Sequence, residues 1–461
     1  MTSPGWGEDA RHIEIRRISA QNGSLRATVT GFLRCRLIGV PCPKSAMSSC
    51  VVRGGGSLLQ SWRDLLRPHI RLCASTDPTH DALLDVCRRR RFFLGEGLSA
   101  ASVLGGGLGP LGVEMKKNII NEWWNTVVLN REQVLPIDTA LQGHPDRRDV
   151  AGTSTDERQH SPLRQDLLHG ALSHYVACLE LLNRKLPFGI AEVGKCFRPV
   201  LGLHDNGPRH ARTGERTVAS LCWFSSAKTL SQWRDYWLRH RLLWWRRFAQ
   251  VPSGFSSSDH QDGEGAKTLL INYNFPWGKE PVETLRMMDD SALTQVHAGA
   301  DAKLHGRDSR RSIIPHVLWL SSDLDLGLLA YLSDALSPRG KEQRLAVLKI
   351  HPSLTPVKVA VDFGKGPAVD LRLVCQGLSA ELRGSGIAVW PGYLDTVQTS
   401  MEQLFIRYDE MGVMFTVLVS DITLESGLLH LRNRDTTIKE TVHISKLTAF
   451  LTQQMTTASR L

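Results

Sequence analysis

The chain has 461 residues, enough for two or three domains each with its own core. Hydrophobic and charged fractions of 42% and 22% suit a globular protein, and no apolar run approaches the roughly 18 residues of a membrane span. A formal net charge of +10 favours a polyanionic partner, while nine scattered cysteines without a CxxC pair or zinc-type His/Cys spacing point to reduced thiols.

Residues 1–75 hold eleven Arg or Lys against four acids, and are rich in Ser and Gly. That is the composition of a mitochondrial transit peptide, with a disordered basic tail as the alternative. The apolar patch Gly31 to Val40 is interrupted by Arg34 and Arg36, which argues against a secretory signal. A globular pattern begins near residue 80, where Leu83, Leu84, Val86 and Cys87 lead into Arg88 to Arg91. Gly107, Gly109 and Gly112 satisfy GxGxxG, but no strand precedes them and Pro110 lies inside. They read instead as a turn opening an amphipathic helix that carries Val113, Ile119, Trp123 and Trp124. Residues 141–163 form a polar loop. One helix face follows, made of Leu168, Leu172, Tyr175, Leu179 and Leu182; His169 and His174 do not share the i, i+4 spacing of a metal pair.

Pro187 to Val200 is nearly a P-loop: Gly189, four residues, then Gly194-Lys195. Cys196 stands where a magnesium-binding Ser or Thr is needed, and Pro199 would sit badly in the second turn of the helix that must follow. A buried strand running into a loop fits Ile190, Val193, Phe197 and Val200 better. Residues 230–249 form a helix with a buried stripe of Trp233, Trp237, Trp244 and Phe248. Arg234, Arg239, Arg241, Arg246 and Arg247 fill its other faces, either as a solvated surface or as phosphate contacts. Residues 250–268 read as a Ser- and Gly-rich loop. Arg307, Arg310 and Arg311 cluster before a strand from Ile313 to Leu320 and a helix from Leu326 to Leu336. Beyond Leu348, strands at Val357–Val361, Ile387–Pro391, Val413–Val419 and Leu428–Leu431 alternate with helices, the last opening at Ser445. Such alternation predicts a mixed, mainly parallel sheet covered by helices.

Several of these segments resemble class II aminoacyl-tRNA synthetases, most closely the glycyl type. Pro187 to Val200 resembles motif 2, GPLG with the helix after it resembles motif 1, and Pro315-His316-Val317 with the following helix resembles motif 3. The resemblance implies Asn-Glu after Phe197-Arg198, where this chain has Pro199-Val200. In motif 3 it implies Glu at Trp319 and the adenine-stacking Arg at Leu326. Leucine has neither charge nor donor. Neither HExxH nor GxSxG occurs, so metal-dependent proteolysis and the serine-hydrolase elbow have no local signature. TPVKVAV, RYDEMGVMF and LRNRDT resemble, in order, the anticodon-binding domain of these enzymes. The expected fold class is α/β (α+β). It comprises an inactive synthetase-like antiparallel-sheet domain over residues 76–345, then an anticodon-binding-like α/β domain with a mixed five-stranded sheet over 346–461.

GPLGVE, EWW, LLHGAL, WLRHRL, NFPWGKE, KLHGRD, WPGYL and RDTT together resemble the accessory-subunit family of animal mitochondrial DNA polymerase gamma. That resemblance implies a non-catalytic, cofactor-free homodimer in the mitochondrial matrix and nucleoid. It would bind the polymerase's catalytic subunit and double-stranded DNA, without a membrane, and raise processivity. Candidate DNA contacts are Arg246, Arg247, Arg307, Arg310 and Arg311; candidate partner contacts are Gly427, Arg432, Arg434 and Asp435. Candidate dimer contacts are Val113, Trp123 and Trp124. Vertebrate relatives carry a longer helical insertion where this chain has only residues 141–163. An RNA- or tRNA-binding module, or a glycyl-tRNA-synthetase-like enzyme, are the alternative functions.

Overall fold

A computed structural model describes residues 18–21, 24–27, 78–95, 107–141, 163–200, 212–261, 267–339, 342–395 and 400–460. The chain divides into two compact units, Met1–Ser75 and Thr76–Leu461. In the first, Ile18–Gln21 and Ser24–Ala27 pair as an antiparallel hairpin. The rest of the transit-peptide reading, and the interior of the polar loop 141–163, lie outside the described residues.

The second unit is built on a seven-stranded sheet. Its order is Val134–Pro136, Phe188–Val200, Arg212–Ser225, His316–Asp323, Gly278–Met288, Lys267–Phe275 and Phe255–Gln261. All neighbours are antiparallel except the first pair. On one face Leu221, Trp223, Leu318 and Leu320 join the main core with Met115, Ile119 and Trp123 of helix Pro110–Trp124 and with Trp237, Trp244 and Trp245 of helix Leu230–Arg247. On the other, Phe188, Ile190, Cys222, Phe224 and Val317 pack under short helices. Alternation along the strands sends successive side chains to these two layers.

The glycines of the near-P-loop all lie in one strand, paired with its neighbour from Phe188 opposite Phe224 to Val200 opposite Arg212. They make room for packing. A Cβ at Gly189 would stand 2.9 Å from Leu221 Cδ1, and one at Gly194 would stand 2.2 Å from Arg164 Nη2.

Four expectations in this region change in detail. The face from Leu168 to Leu182 breaks into two helices, Leu168–Ser173 and Tyr175–Leu181, at His174, whose Nδ1 lies 2.9 Å from the Gly170 carbonyl. The Ser-rich segment expected as a loop contains the edge strand Phe255–Gln261, where one row of side chains meets water and polar residues are tolerated. The strand expected from Ile313 to Leu320 is two, Arg311–Ile313 and His316–Asp323, because Pro315 offers no N–H to a ladder. Arg241, expected on a polar face of its helix, is fully buried.

The final third has a mixed five-stranded sheet ordered Val389–Pro391, Val359–Phe363, Phe415–Val419, Leu428–Asn433 and Lys439–His443. Its first two pairings are parallel and its last two antiparallel. The sheet is thus mixed but not mainly parallel as the alternation predicts, because Leu428–Asn433 and Lys439–His443 are joined by a short turn instead of a helical crossover. Helix Ala368–Gly384 and the terminal helix Ile444–Arg460 cover it through Leu371, Leu378, Leu447 and Leu451. Helix Pro78–Arg89 ties the start of the unit to this region. Its Leu83, Leu84 and Val86 share a core with Tyr408 and Met411, and Arg89 and Arg90 bind the Glu410 carboxylate at 2.9 and 2.6 Å. The Glu410 side chain is 3% exposed.

Candidate nucleic-acid interface

The strands that resemble motifs 2 and 3 lie in the seven-stranded sheet on either side of Arg212–Ser225. Register places Ile190, Cys222, Trp319 and Arg286 in one row, with Glu192, Ser220, Ser321 and Thr284 in the next. Trp319 packs in the layer with Ile190 and Cys222, and its indole donates to Ser220 Oγ at 3.0 Å. An aromatic side chain therefore fills the place of the carboxylate that the synthetase resemblance requires. Leu326 lies in the main core, in the first turn of helix Leu324–Ala335, whose N-terminus is capped by Asp323 accepting from Leu326 N. Glu192 is buried and engaged internally, accepting from the Thr139 backbone and hydroxyl and, at 2.8 Å, from Arg164 Nη1. The Arg198 side chain lies outside the described residues; its backbone pairs opposite Gly214.

Positive charge gathers elsewhere. Gly306–Asp308 and Arg311–Ile313 form a tight hairpin, with Ser309 in the left-handed region at φ 56°. Arg307, Arg310 and Arg311 are all exposed on it. Arg307 Nη2 donates to the Asn183 carbonyl at 2.7 Å, and its backbone bridges to Lys185. None of the three arginines is in an ion pair among the described residues. Guanidinium groups held on a short stiff turn suit phosphate contacts, which position a duplex without reading its sequence.

The two arginines ending helix Leu230–Arg247 divide. Arg247 is exposed, with its guanidinium 5.5 Å from the Phe248 ring centroid. Arg246 turns inward and donates from Nε and Nη2 to the Phe255 carbonyl at 3.0 and 2.8 Å. Its donors hold the end of the helix to the edge strand.

With this geometry in view, comparison with known proteins is decisive. DNA polymerase subunit gamma-2, mitochondrial, of Xenopus laevis is 52% identical over 415 residues, covering 84% of this chain and 90% of that protein. The chain belongs to the DNA polymerase subunit gamma-2 family. The same subunit of Mus musculus is 49% identical over 417 residues, covering 82% of this chain and 91% of the relative. More distantly, a glycine–tRNA ligase of Mycolicibacterium paratuberculosis is 24% identical over 464 residues, covering 81% and 97% of the two chains. Residues 358–454 match the Anticodon binding domain family. Both expected resemblances are thereby shown, as is the α/β fold class.

In this gamma-2 chain, the residues singled out on the anticodon-binding-like domain lie along and at both ends of the strand Leu428–Asn433, Gly427 before it and Arg434 and Asp435 after it. Arg432 is buried and donates to both oxygens of Asp409 at 2.7 and 3.0 Å. Arg434 is buried too, donating to the carbonyls of Gly412 and Ile350 at 2.9 and 3.1 Å and to Asp435. Both guanidinium groups stay beneath the surface and brace the turn, while the Asp435 side chain is 47% exposed. Gly427 closes helix Asp421–Ser426 in the left-handed region at φ 72°, donating to the Thr423 carbonyl. Sequence patterns missed the buried roles because Asp409 and the Ile350 carbonyl are remote along the chain.

Of the dimer candidates, Val113 is exposed and Trp124 half-buried. Trp123 is 1% exposed within the main core, 6.5 Å from Trp124 between ring centroids, so its side chain supports the helix from inside.

Proposed function

We propose that this gamma-2 family member is a non-catalytic processivity subunit of mitochondrial DNA polymerase gamma. In this reading it binds the catalytic subunit and double-stranded primer-template in the mitochondrial matrix nucleoid, as a homodimer. The observation that carries it is the 52% identity to a protein named DNA polymerase subunit gamma-2. Trp319 and Leu326, standing where the synthetase resemblance implies Glu and Arg, support a binding role rather than an activating one. The exposed hairpin arginines support a duplex contact whose strength falls steeply with salt. The anticodon-binding-like domain is proposed as a polymerase-facing surface, with Gly427 and Asp435, at opposite ends of the strand Leu428–Asn433, as candidate contacts.

The test is product length in single-encounter primer extension by the catalytic subunit, with and without this protein at moderate salt. Longer products are expected. Unchanged products with a folded protein and a matched catalytic subunit would overturn the reading. The match of residues 358–454 to an anticodon-binding family favours one second reading, an RNA- or tRNA-binding module. Preference for structured RNA over duplex DNA, without any effect on the polymerase, would select it.

A further inference from the structure

Beside the basic hairpin lies a cavity of about 350 Å³ whose walls include Pro187, Thr229, Gln232, Trp233, Tyr236 and Asp308. Its aromatic side is braced from behind. Trp233 packs on Trp223 at 4.7 Å and meets Tyr236 edge-on at 5.6 Å between ring centroids. Arg131 Nη1 donates to the Tyr236 hydroxyl at 2.8 Å, and the Arg131 guanidinium lies 4.4 Å from the Trp237 ring centroid. Tyr236 is nonetheless 43% exposed. Four cations adjoin wall residues: Arg131 through its hydrogen bond to Tyr236, and Lys185, Lys228 and Arg307 as chain neighbours of Leu186, Thr229 and Asp308. None of the four is in an ion pair among the described residues, and Lys185, Lys228 and Arg307 are exposed.

We infer that this cavity takes one unpaired nucleotide, its base inside and its phosphate on the basic rim. The inference rests on the proposed DNA-binding function and adds to it a site for a base outside the duplex. Each chemical group has a counterpart. An aromatic wall accepts any base by stacking, and an exposed ring can do so without repacking the core. The Asp308 carboxylate is an acceptor for a base amino or imino group and repels a phosphate, which sorts the two ends of the nucleotide. Gln232 supplies a donor and an acceptor to the base edge, and Thr229, whose hydroxyl donates to the Ser226 carbonyl, keeps acceptor capacity. The cations outside offer the phosphate contacts that the cavity itself lacks.

Two sources share this chemistry: an unpaired nucleotide at a duplex end, and a free nucleotide. The full-length protein is titrated with a blunt duplex, with the same duplex bearing a one-nucleotide 2-aminopurine overhang, and with free 2-aminopurine deoxynucleoside monophosphate. Stacking worth about 1 kcal/mol or more per base makes the overhang duplex bind at least roughly five-fold tighter than the blunt one, with the probe's fluorescence quenched. In the double variant Tyr236→Ser, Asp308→Ala the gain and the quenching disappear while blunt-duplex affinity holds. Quenching of the free nucleotide without an overhang gain assigns the site to a mononucleotide. Equal affinity for both duplexes, no quenching of either probe and intact blunt-duplex binding overturn the cavity proposal and leave the DNA reading standing. Absence of all duplex binding, with no quenching, removes both.

Discussion

Arg241 Nε donates to both carboxylate oxygens of Glu283, at 2.9 and 3.1 Å, and each side chain is 1% exposed. Trp245 donates to the same carboxylate, and the Arg241 guanidinium lies 4.3 Å from the Trp244 ring centroid. This charge pair fastens the tryptophan helix to the central sheet inside the main core. Glu283→Gln leaves a buried cation without its counter-charge, and is expected to cost about 3–5 kcal/mol in denaturant unfolding. The double change Arg241→Met, Glu283→Gln should recover most of that loss, since no desolvated charge remains and the Gln carbonyl still accepts from Trp245.

Exposure separates the hairpin arginines from the helix-end arginine in a measurable way. Arg310→Glu with Arg311→Glu should weaken duplex binding and flatten its salt dependence by about 0.9 for each phosphate no longer neutralised. Stability should stay within roughly 0.5 kcal/mol, as for other surface changes. Arg246→Ala is expected to act the opposite way. It removes the donors to the Phe255 carbonyl, costing about 1.5–3 kcal/mol of stability, with the salt slope unchanged.

Acid should loosen the fold through two histidines. Burial, with the Arg131 and Arg241 charges, holds His240 down at about 4, and burial with Arg247 and Lys358 does the same to His351. The unfolded chain takes up these protons below its ordinary value of about 6.5, whereas the folded chain declines them until about 4. Acidification across that window favours unfolding, so these residues lower stability as pH falls. Denaturant midpoints compared at about pH 7 and about pH 4.5 should drop less in His240→Phe than in the parent. Equal drops would show that His240 protonates freely in the folded protein.

Restoring one synthetase residue should not restore a synthetase. Leu326 is 9% exposed in the main core, so Leu326→Arg is expected to cost about 2 kcal/mol or more. It should produce no amino-acid-dependent pyrophosphate exchange, even combined with Trp319→Glu. Exchange activity in that double variant would mean the activating geometry survives intact.

At Gly427, a Cβ would lie 2.6 Å from His443 Nε2 on a backbone already at φ 72°. Gly427→Ala is expected to lower the stability of the unit by about 1–2 kcal/mol. Because Gly427 is a candidate contact on the proposed polymerase-facing surface, co-sedimentation with the catalytic subunit should weaken in this variant. Undiminished co-sedimentation would move that surface elsewhere on the molecule.

Much of the architecture was legible in local pattern. The alternation at Val359 and Val361, the helix face of Leu371, Leu378 and Leu382, and the run of Val413 to Val419 all reappear as elements of one mixed sheet layer. The hairpin arginines were legible because three like charges within five residues rarely find local partners. The positions of Arg241, Arg246, Arg432 and Arg434 were not. Each charge is engaged by a group that folding brings close, such as Glu283, the Phe255 carbonyl or Asp409, and a helical or strand period counts such a residue simply as polar. The cavity at Trp233 and Tyr236 was equally hidden, since Pro187 and Asp308 reach it from distant segments.

Glu410 sets a floor on how far the amino terminus can be trimmed. The residues that neutralise its buried carboxylate, Arg89 and Arg90, come from the first described helix of the large unit and the residue after it; that helix also lends three aliphatic side chains to the same core. A protease that stops before Pro78 leaves this clasp whole. One that cuts past Arg90 strands an anion in the interior and opens the junction between the sheet domain and its C-terminal neighbour. The integrity of that junction thus rests on a twelve-residue helix at the start of the large unit.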